Sequence, residues 1–245
     1  MDGLNVFCLL IFVSALPVFF LCLWFRLSRY SLPLHWFLLF LLAGALSLLV
    51  ALVLQRLLPD IPPGAGGRGR ILYTVFCKAA LAEETGRLLV FLAFFRAAAR
   101  FSPQPGGGLH WSRDRAEISP GAAPGLEFQG AIAGLVAGFG FAVIESASYG
   151  SADMGVAFIR AFTAAPLHGA CGARVGASAA DLRGNPFPAL PRFLSAVAIH
   201  GMYDFMILLR GIPWILAVFA AFSALASSIL FIRAGFKNSF YPNSA

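Results

Sequence analysis

Residues 34–57 read LHWFLLFLLAGALSLLVALVLQRL, an apolar run whose only formal charge is Arg56, near its end. A helix needs about 20 apolar residues to cross the hydrocarbon of a bilayer, and this run is long enough. Working outward, apolar stretches of similar length recur over Leu4–Phe25, Ile71–Phe95, Phe128–Tyr149, Met154–Ala180, Phe193–Leu209 and Ile212–Ile232. The expected fold is therefore all-α, a polytopic transmembrane helix bundle of about seven spans. Composition agrees. The chain is 59% hydrophobic and 12% charged, with a mean hydropathy of +0.81, whereas soluble domains average about 25% charged. One integral membrane domain over 1–245 is expected. Two N-terminal spans would occupy 1–70, a core bearing ionisable residues 71–210, and a last span with a tail 211–245.

The connections follow from turn chemistry. Pro59–Arg70 holds Pro-Pro-Gly and Gly-Gly and reads as a turn-rich loop. Ser102–Gly125 holds Pro103, Pro105, a Gly triplet and Pro120, and is the longest polar segment. Arg210-Gly211, followed by Pro213, reads as a helical hairpin or as a kink in one element. Met-Asp-Gly lacks the basic region of a cleaved signal peptide, so the first stretch reads as a retained helix. Cys8, Cys22, Cys77 and Cys171 fall in the spans without a CxxC pair or a disulfide framework, and read as buried free thiols.

The net charge of +7 belongs to Arg-rich loops. Nucleic-acid binding would need a basic patch on a soluble face, and no such face is expected. Seven spans put Arg26, Arg29, Arg96, Arg100, Arg113, Arg115, Arg183, Arg192, Arg233 and Lys237 on one side, and Arg56, Arg68, Arg70 and Arg210 on the other. The basic side is the cytoplasmic one, which predicts an outside N-terminus and a cytoplasmic C-terminus.

Against this background, the ionisable residues inside the spans stand out. Glu83, Glu84 and Arg87 interrupt one run, while Glu145, Arg160, His168, His200 and Asp204 sit in or at the ends of three others. A charge at the bilayer centre costs roughly 2.5–3.5 kcal/mol on insertion scales. Such residues pair, face a wet cavity or bind something, and mark a site. On a helix, Arg87 is i,i+3 from Glu84 and i,i+4 from Glu83, so it pairs well with only one and leaves the other free for water or a metal. Phe141 and Glu145 share a face, and a carboxylate beside an aromatic in a dry pocket suits acid or base work. His200 and Asp204 are i,i+4 neighbours, so Asp204 could fix the imidazole tautomer and leave the other nitrogen available. Gly201 leaves room beside that ring. Gly130, Gly134 and Gly138 in one span, and Gly172 and Gly176 in the next, recur every four residues. That spacing allows close helix approach and would clamp the helices bearing Glu145 and His168.

Four carboxylates and two imidazoles on separate helices can activate water in a lipid-shielded cavity, as peptide hydrolysis requires. A divalent metal such as zinc would take His and carboxylate ligands with one position open, and His168, His200 and Glu145 are the candidates. No HExxH occurs. The same groups would also serve a proton-coupled transporter or a non-catalytic membrane scaffold.

EExxR (Glu83, Glu84, Arg87), FxxxE (Phe141, Glu145), His168 and HxxxD (His200, Asp204), in this order, resemble the PrsW family of intramembrane proteases. That family is related to the Abi/CPBP superfamily of type II CAAX prenyl proteases. The similarity covers roughly Leu72 to Leu209, so 71–210 would be a protease-like core, and the first two spans carry none of it. The resemblance implies a peptidase acting on membrane-anchored protein substrates, anti-sigma-factor-like, in the bacterial cytoplasmic membrane. It makes Glu83, Glu84, Glu145, His168, His200 and Asp204 the catalytic set, with Arg87 and Phe141 supporting; Arg160, about two turns before His168 on one helix face, reads from its position as a further supporting partner. Two positions depart from the pattern: Arg87 stands where Lys is common, and Ser146 where Asn is common. The first keeps the charge but not its geometry, and the second removes an amide that could orient substrate.

Overall fold

The computed structural model describes residues 3–27, 32–61, 66–101, 125–151, 153–183, 185–209 and 214–240. These residues are helical with short connections and no strand: α1 (Gly3–Leu27), α2 (Leu34–Leu57), α3 (Gly67–Leu72), α4 (Ala82–Phe101), α5 (Leu126–Gly150), α6 (Met154–Asp181), α7 (Ala189–Leu208) and α8 (Trp214–Phe240). A π-helical stretch, Tyr73–Leu81, joins α3 to α4 without a break, so seven rods match the seven expected runs. The rod begins at Gly67, inside the segment expected to be loop. Phe205 O accepts the Leu209 amide to close α7, and α8 packs back on α7 as a separate helix. Residues 102–124, with Arg29, Arg113, Arg115 and Arg210 of the charge count, lie outside the described residues, as do the side chains of Arg100 and Lys237.

Cys8–Leu27, Leu34–Leu57, Leu126–Gly150 and Trp214–Gly235 are long and apolar enough to cross a membrane. The remaining rods carry Glu83, Glu84 and Arg87, Arg160 and His168, and His200 with Asp204. The residues that lower their hydropathy are thus the ones of interest. α1, α2 and α8 turn Phe12, Phe19, Leu38, Leu49, Phe219 and Leu230 outward, an apolar exterior suited to lipid rather than water. Cys8 and Cys22 are on that exposed exterior and Cys77 is half-buried, so only Cys171 is a buried thiol. The expectation of four buried thiols fails because the outer helices bury one stripe only.

α5 is the central helix, with 89% of its apolar window buried against 28% for α8. Its glycines explain how it sits so deep. A Cβ at Gly134 would lie 1.9 Å from Gly172 O, one at Gly130 2.3 Å from Gly176 O, and one at Gly138 2.0 Å from His168 O. The α5 and α6 backbones therefore touch directly, as the four-residue spacing predicts. α2 closes the next side: a Cβ at Gly44 would meet Ala137 O at 1.9 Å, and one at Gly86 would meet Ala51 N at 2.9 Å. At the start of the long rod, Tyr73 Oη donates to Pro59 O at 2.7 Å and Lys78 pairs with Asp60, tying the π-helical stretch to the end of α2.

Candidate active site

Glu83 and Glu84 occupy the first turn of α4. Glu84 takes the Arg87 guanidinium, and both side chains are fully buried. The i,i+3 spacing brings their ends together on one face. The guanidinium carbon also lies 4.6 Å over the Phe141 ring, which adds quadrupole attraction to the charge. Glu83 points away from Arg87. Its Oε1 accepts from Gln55 Nε2 of α2 at 3.3 Å, and its Oε2 is buried without a hydrogen-bond partner.

The two imidazoles meet edge to face, with ring centroids 5.0 Å apart. His200 Nδ1 is 2.7 Å from Glu84 Oε1. A carboxylate can only accept, so this nitrogen carries a proton and Nε2 is turned toward the other two carboxylates. Nε2 lies 3.5 Å from Glu83 Oε2 and 3.5 Å from Asp204 Oδ2. His168 repeats the pattern on α6: Nε2 is 2.7 Å from Glu145 Oε2, while Nδ1 is buried with no partner. Arg160 Nη2 donates to the same Glu145 oxygen at 2.6 Å, and its guanidinium stacks on Tyr149 at 4.0 Å. Phe141 fills the gap between Arg87 and His168, its ring 4.8 Å from the imidazole.

Each histidine is thus held by one nitrogen against a carboxylate, and each carboxylate is neutralised by an arginine. What remains is Glu83 with the two imidazoles: one ligand atom from each of Glu83, His168 and His200 lies within 4.8 Å of the other two, and all three residues are buried. The model of a family described as PrsW intramembrane metalloproteases matches residues 32–232. The chain belongs to the PrsW family. It is accordingly an integral membrane peptidase whose substrates are membrane proteins. No curated protein and no solved structure matches the chain. The match begins at residue 32 and ends at 232, so the family's sequence pattern includes α2 and most of α8, beyond the motifs between Leu72 and Leu209.

A divalent ion fits this PrsW-family site on the structure's own terms. Buried polar atoms are normally hydrogen-bonded, and Glu83 Oε2 and His168 Nδ1 are not. Two imidazole nitrogens and one carboxylate are also the donor set of a zinc site that keeps a position open. Both ring nitrogens facing away from the cluster have carboxylate partners, the second tier that orients metal-binding histidines.

All nine residues singled out in the sequence converge here. Three details differ from the local reading. The carboxylate on His200 Nδ1 is Glu84, not the i,i+4 neighbour Asp204, because α4 and α7 bring together residues 116 positions apart. The third member of the ligand cluster is Glu83, whereas Glu145 faces His168 Nε2 and Arg160. Gly201 makes room for Phe76 of the π-helical stretch, where a Cβ would sit 2.4 Å from the ring. Gln55 and Tyr149 were missed. Gln55 carried a signal, as an amide near the end of an otherwise oily helix. Tyr149 carried none beyond its position one turn after Glu145. Ser146, where the family pattern favours Asn, is buried and its hydroxyl has no partner.

Proposed function

We propose that the chain hydrolyses a peptide bond of a membrane-anchored protein, anti-sigma-factor-like, at the Glu83–His168–His200 cluster in a bacterial cytoplasmic membrane. The observation that carries this reading is the division of labour at the imidazoles: one nitrogen of each is bonded to an arginine-held carboxylate, His168 Nδ1 is left without a hydrogen-bond partner, and His200 Nε2 faces Glu83 Oε2 at 3.5 Å. Glu83, His168 and His200 would hold a divalent ion such as zinc, which when bound supplies Lewis acidity that lowers the pKa of water toward about 7 and polarises a carbonyl.

The protein's own groups have distinct tasks. Glu84 keeps the proton of His200 on Nδ1, and Arg87 keeps Glu84 ionised and aimed. Glu145 and Arg160 do the same for His168. Gln55 holds one oxygen of Glu83 and so directs the other inward. Asp204 is the carboxylate at the open edge, with its side chain 27% exposed against 2% for His200. It takes a proton from the attacking water and returns it to the leaving nitrogen as the C–N bond breaks. Phe141 and the apolar walls exclude bulk water, which strengthens every charge interaction inside.

The Arg183, Arg192 and Arg233 end of α6, α7 and α8 would face the cytoplasm, with the N-terminus outside. The test is cleavage of a single-span substrate by purified protein in detergent, with products read by mass spectrometry. Loss of cleavage is expected in Glu83→Ala, His168→Ala and His200→Ala. Wild-type rates in all three would sink the assignment.

A further inference from the structure

A second polar feature lies between α6, α7 and α8, and includes none of the residues of the candidate active site. Arg174 of α6 is half-buried in this interface. Its Nη1 donates to Ala170 O at 3.0 Å, Ala224 O at 3.3 Å and Ser228 Oγ at 2.6 Å, and its Nη2 donates to Ser227 Oγ at 2.6 Å. Every one of these acceptors is neutral. Among the described residues no carboxylate pairs with Arg174. Elsewhere in the core the rule is the opposite: Arg87, Arg160 and Arg192 each have a carboxylate. Arg174 therefore leaves one positive charge inside a membrane bundle without an internal counter-charge, a costly arrangement unless something supplies the anion.

The space for an anion is present. A cavity of about 210 Å³ is lined by Arg174, Arg192, Ser195, Ser227, Ser228 and Phe231, among others, several times the roughly 30 Å³ that one water takes in the liquid. Arg192 is held in place by Asp181 and by stacking 5.1 Å over Phe231, so its fork is pre-oriented at the cavity wall. Two guanidinium groups on one cavity wall form a phosphate-binding pair, since guanidinium matches the geometry of phosphate oxygens. The cavity lies toward the end of the bundle where Arg183 and Arg233 also sit. Basic pockets between transmembrane helices on the cytoplasmic side suit anionic lipid headgroups.

We infer that the α6–α7–α8 cavity is a binding site for a phosphate-bearing anion, held by Arg174 and Arg192. A phospholipid headgroup and a free phosphate share this chemistry, and the test separates them. Full-length protein in detergent is mixed with phosphatidylglycerol, phosphatidylcholine or inorganic phosphate, and retained adducts are counted by native mass spectrometry. Retention of phosphatidylglycerol but not phosphatidylcholine assigns an anionic lipid. Retention of inorganic phosphate, with displacement of phosphatidylglycerol, assigns free phosphate. Arg174→Gln should weaken the retained species about tenfold or more. Because Arg174 also bridges α6 to α8, Ser195→Leu provides a second variant that fills the cavity and leaves both arginines in place. It should also lose the adduct while melting near the wild-type temperature. Wild-type protein that holds neither anion better than phosphatidylcholine overturns the inference, and so does a folded Ser195→Leu protein that retains the adduct as wild type does.

Discussion

Gly134→Ala puts the link between helix packing and chemistry to the test. The added Cβ would sit 1.9 Å from Gly172 O, whereas ordinary van der Waals contact begins near 3.4 Å. The neighbouring atom is backbone, so no side chain can swing aside, and α5 and α6 must separate locally by about 1.5 Å, the difference between those two distances. Overpacking of this kind costs about 1–3 kcal/mol. The functional effect should be larger than the stability effect. Glu145 on α5 and His168 on α6 are joined at 2.7 Å, and stretching that bond by 1 Å or more breaks it. Misplacing a catalytic group by about 1 Å can cost 100-fold in rate. The assay is cleavage of a single-span substrate by purified variant and wild type in detergent, with thermal melting alongside. Gly69→Ala is the matched control, since a Cβ there meets nothing within 4 Å. The reasoning is refuted if Gly134→Ala folds and cleaves at the wild-type rate.

Glu84→Ala should destabilise the protein by about 3–5 kcal/mol, because it strands the buried Arg87 charge. Glu84→Met with Arg87→Met should restore stability but not cleavage, since His200 Nδ1 still lacks its acceptor, and melting and activity measured together distinguish the two effects. Arg160→Gln leaves Glu145 bonded to His168 alone and should weaken metal affinity by about 10–100-fold, as loss of outer partners does, checked by zinc titration. Gln55→Ala removes the 3.3 Å bond to Glu83 and should cost about 0.5–1.5 kcal/mol of stability. It should also reduce the cleavage rate without abolishing it, which a kinetic series would reveal.

The spans were legible because hydrocarbon thickness sets a length that apolar runs either meet or miss. Leu34–Leu57 was read to the residue. Glycines at four-residue intervals mark the α5–α6 contact in the sequence itself. The pairing of Arg87 with a single glutamate was also legible, since helix geometry permits one good partner. Periodicity has no access to partners across the bundle. Asp204 was the nearest carboxylate to His200 along the helix, yet Glu84 reaches it from α4. Gln55 acts on Glu83 only because Gly86 lets α2 and α4 come together. The π-helical stretch Tyr73–Leu81 has no distinguishing composition, yet it immediately precedes the turn that carries Glu83 and Glu84.

The central claim, that Glu83, His168 and His200 hold an ion and that cleavage depends on it, is tested most directly by metal content measured on the same purified sample as activity. The account predicts about one divalent ion per chain in wild type, loss of both ion and cleavage in Glu83→Ala/His168→Ala/His200→Ala, and recovery of chelated wild type on adding zinc. Undiminished cleavage by wild-type protein shown to be metal-free would contradict it.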